Sequence, residues 1–207
     1  MVREPIRRNA RSNRARILAT ARQELGRNPE ATLEEIARAA GVVRRTVFGH
    51  FPGRAALAEE ASQALQDAVA WQPDPSEPPE RVLARFVLAI WPVGDRYRLL
   101  LALARQDLGA ERVSEVLAPA RAQAAVILEH GQRKGAFHGH LPPAVLNAAL
   151  EALTLSLLES VNAGAWEDDG TRTAVATLVA AGVPEQRAAE VVEAVAAEVR
   201  EEAAERA

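Results

Sequence analysis

Arg44 and Arg45 are adjacent, and His50 follows five residues later, inside the stretch TLEEIARAAGVVRRTVFGHFPGRAAL at 32–57. The chemistry these side chains offer is recognition rather than bond making. A guanidinium is a rigid fork of donors that fits a guanine edge or a phosphate. With Val47 facing inward toward Ile36 and Leu57, the two arginines and His50 remain outward. Arg54 opens the next helical segment, where free backbone N–H groups and the helix dipole favour a phosphate. Upstream, REPIRRNARSNRAR at 3–16 holds six arginines against one glutamate. Its residues Arg7, Arg8 and Arg11 form an arm that is a solvated tail in the free protein. On DNA such an arm follows the phosphates or enters the minor groove.

Other groupings offer less. His138-Gly-His140, with His130 nearby, has two imidazoles at i, i+2 in a Gly/Pro-rich loop and no carboxylate partner, so a solvated loop is the expectation and a metal is not. Glu34 and Glu35 fall in a first helical turn, where carboxylates stabilise the helix dipole rather than form an acid/base pair. The chain has no cysteine, which excludes a thiol nucleophile, a disulfide framework and Cys-ligated zinc. No Gly-rich phosphate loop or nucleophile elbow is present. We expect no enzyme, no cofactor and no metal.

The elements that must position the arginines are helical. Of 207 residues 48% are apolar, enough for a sizeable core. Ala, Leu, Glu and Arg dominate and β-branched alternation is scarce, which predicts an all-α protein. The net charge of −3 hides an asymmetry: residues 1–56 hold 12 Arg and 5 Glu, and the rest holds 13 basic and 23 acidic side chains. A basic head on an acidic body presents one end to a polyanion. The Arg-rich N-terminus lacks the apolar segment of a signal peptide, and no uncharged apolar run reaches 18 residues. These features predict a soluble cytoplasmic protein with no membrane partner.

Along the chain, 13–25 reads as a first helix with Ile17, Leu18, Ala21 and Leu25 at helical spacing, ended by Gly26 and Asn28-Pro29. Thr32 and Glu35 have the spacing of a capping box for a second helix, whose inner face is Leu33, Ile36, Ala37 and Ala40. Gly41 permits the left-handed turn that follows. A short third helix, 43–50, ends at Pro52-Gly53. The fourth, 54–71, is a connector that ends before the proline-rich joint at 73–79. The larger part then reads as a bundle. Its predicted helices are 80–91, broken by Pro92 and Gly94; 95–108, capped by Gly109; 111–134, interrupted by Pro119; 142–163; 171–181; and 184–202. The 142–163 helix is apolar nearly all round and must bury two faces. One face meets its own bundle and the other needs a partner, with Leu150, Leu153, Leu157 and Val161 as interface candidates.

Two helices joined by a short Gly-containing turn form a helix-turn-helix, whose second helix enters the major groove. The residues themselves are sharper evidence. The E-x-I-A-x-x-A-G-V run, the T-V-F-x-H-F signature and the turn plus basic residue before Ala56-Leu57 resemble the DNA-binding region of the tetracycline-repressor (TetR) family over residues 13–60. The resemblance implies that Arg44 and Arg45 read bases. It also implies that Thr46, Phe48, His50 and Arg54 hold the backbone or its edge, and that Thr32 lies near a phosphate. The chain departs from the family at Val43, where Ser or Thr often caps the third helix; at Phe48, in place of the commoner Tyr; and at Gly49, which supplies no side chain.

The resemblance further implies a ligand cavity in the bundle. Phe86, Trp91, Tyr97 and Arg105 are candidates to line it, with ordinary core packing as the alternative for each. The expected organisation is a DNA-binding domain at 1–56 and an effector-binding and dimerisation domain at 57–207. The expected function is a ligand-released homodimeric repressor of a palindromic operator, with partners double-stranded DNA, a second copy and a small-molecule effector. The alternative is a protein-interaction adaptor with weak non-specific DNA binding.

Overall fold

In the computed structural model of the chain, residues 17, 20, 24, 32–43, 45–46, 54–74, 76–107 and 109–205 are described. Among them are seven helices and no strand. Helix α1, Leu33–Ala39, starts where Thr32 caps it and stops at the Gly41 turn. Helix α2, Arg54–Ala68, runs from the head into the body, where Ala61 and Leu65 join the main core. It ends three residues earlier than the sequence pattern suggested.

Helix α3, Pro79–Asp107, corrects the expectation of a break at Pro92 and Gly94. A proline inside a helix removes one hydrogen bond and crowds the preceding turn. Val82, Leu83, Phe86, Val87 and Trp91 are all buried on this helix, and that packing holds it through the defect. Gly94 is not a breaker; it is a point of close approach. A Cβ there would lie 3.0 Å from Leu158 Cδ1 of the facing helix. Helix α4, Gly109–Arg133, likewise continues through Pro119, and Gly109 is its first residue rather than the cap of the helix before it.

Helix α5, Pro143–Asn162, begins with prolines at its N-terminus, where a missing N–H costs nothing. Its stretch Pro143–Val161 has a mean hydropathy of 1.4 and is long and apolar enough to cross a membrane, yet only 22% of it is buried within the chain. Leu146, Leu150 and Leu158 point into the bundle, whereas Val145 is 51% exposed and Ala148, Ala149 and Ala152 are exposed beside it. Of the interface candidates, Leu150 has its side chain in the core of its own chain. Leu153, Leu157 and Val161 are half-buried. Helices α6, Thr171–Ala180, and α7, Glu185–Glu205, complete the bundle with Ala174, Leu178, Ala188, Val191, Val192 and Val195 in the core.

Charged side chains tie α7 to α3. Glu198 accepts from Arg81 Nη2 at 2.6 and 2.9 Å and from Arg85 Nη2 at 2.8 Å, and Arg187 pairs with Glu80 at 3.0 Å. The hydrogen bonds from Arg81 hold the Glu198 carboxyl below its ordinary range. Between α4 and α5, the His138 and His140 rings stack at 3.6 Å, and His138 Nε2 lies 3.1 Å from the Ala180 carbonyl. No group of three metal-binding side chains occurs among the described residues.

Candidate nucleic-acid interface and an apolar cavity

The turn after α1 is built locally. Thr32 Oγ1 accepts from the Glu35 N–H at 3.3 Å, and Glu35 Oε2 accepts from the Thr32 N–H at 2.7 Å, so each side chain satisfies an otherwise orphan donor. The Thr32 backbone bond, the largest cause, pulls the Glu35 carboxyl below its usual pKa. At the other end Gly41 takes φ +63°, and the Gly41 and Val42 N–H groups donate to the carbonyls of Arg38 and Ala37. Ile36, Ala37 and Ala40 are buried, together with Ile17. Helical geometry resumes at Arg45 and Thr46, with the Thr46 N–H donating to the Val43 carbonyl at 2.7 Å.

The arrangement exposes the Arg45 side chain just past the turn, half-buries Thr46, and leaves Val43 69% exposed. Thr32 is exposed at the helix start, but its N–H and hydroxyl are both engaged with Glu35, so a phosphate there would compete with that carboxylate. The sequence candidates Arg7, Arg8, Arg11, Arg44, Phe48 and His50 lie outside the described residues, as does the side chain of Arg54, whose backbone begins α2.

In the body is a cavity of about 100 Å³ whose lining is mostly apolar. Ala61 and Leu65 of α2 form one wall, Phe86 and Trp91 of α3 another, and Val116 and Leu128 of α4 a third. The sequence candidates Phe86 and Trp91 are thus on its surface. Tyr97 and Arg105 belong to the backbone of α3, with side chains outside the described residues. Trp91 is fixed from behind: its Nε1–H donates to the Asp168 carbonyl at 3.3 Å. Gly170, at φ +100°, passes so close that a Cβ would sit 2.8 Å from the indole Cγ. Asp168 in turn caps α6, accepting from Thr173 Oγ1 at 2.6 Å and from the Arg172 and Thr173 N–H groups at 3.1 Å each.

One end of the cavity is polar, and sequence reasoning did not pick it out. Arg121 of α4 grips Glu151 of α5 through Nε and Nη2, both at 2.8 Å. Asn147 Nδ2 donates to the Arg121 carbonyl at 2.9 Å, and Thr154 Oγ1 donates to the Leu150 carbonyl at 2.9 Å. The available signal was the spacing of Asn147, Glu151 and Thr154, a polar stripe at i, i+4 and i+7 on an otherwise apolar helix.

A capped short helix, a tight glycine turn and an exposed arginine just past it follow the opening of a helix-turn-helix, here set on a helical body with an apolar cavity. Residues 17–61 match the model of the bacterial regulatory proteins of the tetR family, and the chain shares its fold with solved structures of TetR family proteins. Solved structures share that fold across almost the whole chain. CprB from S. coelicolor A3(2), a TetR family protein, superposes with a TM-score of 0.58 at 19% identity, covering 91% of this chain and 96% of its own. A gamma-butyrolactone receptor, described as ArpA-like, gives 0.57 at 20% identity over 94% and 98%. RolR in complex with its ligand resorcinol gives 0.51 at 17% identity over 89% and 95%. No curated protein matches the chain by sequence.

Proposed function

We propose that the protein is a cytoplasmic homodimeric repressor that leaves a palindromic operator when a small molecule enters the body cavity. The observation that carries this reading is that α2 serves both ends. Its first turn bears Arg54, next to the helix-turn-helix, and its Ala61 and Leu65 are cavity wall. A ligand that presses on that wall moves the head. Release needs only that the ligand bind one position of α2 better than the other. Two proteins of the same fold are RolR in complex with resorcinol and a gamma-butyrolactone receptor, which supports a small-molecule effector for this cavity too.

In this reading Arg44 and Arg45 contact base edges. Thr32, Thr46, Phe48, His50 and Arg54 hold the backbone, and Arg7, Arg8 and Arg11 extend along the adjacent groove. The head is residues 1–56 and the effector and dimer domain is 57–207. The poorly buried apolar surface of α5, with Val145, Ala148, Ala149 and Ala152 outward, supports pairing with a second copy. A two-fold dimer places its half-sites about one helical turn, roughly 34–36 Å, or a multiple apart. The test is selection of bound fragments from a random duplex library at near-physiological salt. Enrichment of a palindrome is expected. Retention without enrichment, sensitive to salt alone, would overturn the sequence-reading role.

A further inference from the structure

The polar side chains on the cavity wall already engage partners within the chain. Arg121 Nε and Nη2 donate to the two Glu151 carboxylate oxygens, and Arg121 Nη1 donates to Ser114 Oγ at 3.2 Å. Asn147 Nδ2 donates to the Arg121 carbonyl, Thr154 Oγ1 to the Leu150 carbonyl, and Thr177 Oγ1 to the Thr173 carbonyl at 2.8 Å. Trp91 sends its indole N–H to Asp168, a residue outside the lining. No side-chain nitrogen or oxygen of the lining is both buried and without a hydrogen-bond partner. A polar ligand group would therefore relieve no unmet bond in the protein. It would bring its own cost of leaving water, with nothing in the wall to offset it.

We infer that the effector is an apolar hydrocarbon of about one ring, without hydrogen-bonding groups, held by contact with the lining alone. The inference rests on the effector reading of this cavity and narrows it to a chemical class. The driving force is removal of the ligand's apolar surface from water against side chains such as Phe86, Val116 and Leu128. Size follows from volume: an apolar cavity of about 150 Å³ holds benzene in another protein, and the cavity here is about 100 Å³. Small side-chain adjustments then admit one ring, and a fused pair of rings is too large. The polar end does not call for a charged ligand either, because the guanidinium of Arg121 and the carboxylate of Glu151 neutralise each other through two parallel bonds.

The full chain is titrated calorimetrically with benzene, with phenol, which adds one hydroxyl, and with benzoate, which is charged. Benzene is expected to bind about tenfold more tightly than phenol, to loosen the selected operator, and benzoate not to bind. Ala120 is on the lining, and Ala120→Leu, which fills space there, is expected to weaken benzene binding about tenfold. Phenol binding as tightly as benzene in the wild-type protein, which needs no variant, would overturn the apolar class and leave the effector reading standing. So would tight binding of benzoate. A folded Ala120→Leu protein that binds benzene like the wild type would place the site elsewhere and overturn the inference. Binding of none of the three, or benzene binding with operator affinity unchanged, would remove the effector reading and this inference together.

Discussion

In the head, Ile17, Ile36, Ala37 and Ala40 are the buried apolar side chains among the described residues, and the helix that carries Ile36 and Ala37 is bounded by the Thr32–Glu35 box at its start and the Gly41 turn at its end. In the body, one continuous core runs from Ala61 of α2 to Ala196 of α7. Among the described residues of the head, the stretch 32–42 is shaped by bonds between near neighbours in the chain. The body is shaped by packing between helices far apart in sequence. A structure that must present a few side chains to a groove needs an accurate turn more than a large core. A structure that must hold a cavity needs enough surrounding packing to keep it open.

The difference can be broken at either end. Leu128 is fully buried in the body, and Leu128→Ala is expected to lower unfolding stability by about 2–5 kcal/mol. Measured by urea denaturation, a loss much below that would mean the bundle relaxes around the gap and is not packing-limited. DNA affinity per folded molecule should be retained. The arginines should behave in the opposite sense. Arg44→Ala and Arg45→Ala should each cost about 1–3 kcal/mol of binding to a selected operator and change unfolding by under about 0.5 kcal/mol. Equal losses on selected and random duplexes would remove the base-reading role.

The smallest effect is electrostatic and sharpens the comparison. Both Glu35 in the head and Glu198 in the body have folded-state pKa values below the unfolded value, for local reasons: Thr32 in one case, Arg81 in the other. A depressed carboxylate contributes stability above its unfolded pKa and loses it as pH falls through its folded pKa. Acidification below the ordinary glutamate range should therefore weaken both regions. Glu198→Gln should flatten the acid limb of body unfolding without altering hydrogen exchange in residues 33–39. A change in that exchange would mean the two regions share one cooperative unit. Because both carboxylates are well solvated, the effect is expected to be modest.

The head was legible from sequence because its determinants are neighbours in the chain. Thr32 and Glu35 are three residues apart, and Gly41 marks its own turn. The body was legible as helices but not in its continuity. Pro92 and Pro119 look like breaks because a proline always removes a local bond. Whether the helix survives depends on side chains such as Leu83 and Trp91 finding partners on other helices, which no local window contains. The polar end of the cavity was illegible for the same reason. Arg121 and Glu151 lie 30 residues apart, and only the meeting of α4 and α5 makes them a pair. That Leu150 turns toward its own core was likewise not legible, because a helix apolar nearly all round does not announce which face turns inward.

Gly170 and Trp91 have an evolutionary consequence. The glycine is held by two constraints at once, a left-handed backbone and an indole ring where a side chain would begin. Substitution at 170 alone meets both. Substitution at 91 by a smaller residue lifts one and opens the cavity wall. Descendants of this sequence that exchange ligands should therefore change position 91 first and position 170 only afterwards, so that the order of the two replacements in a lineage records when its cavity was reshaped.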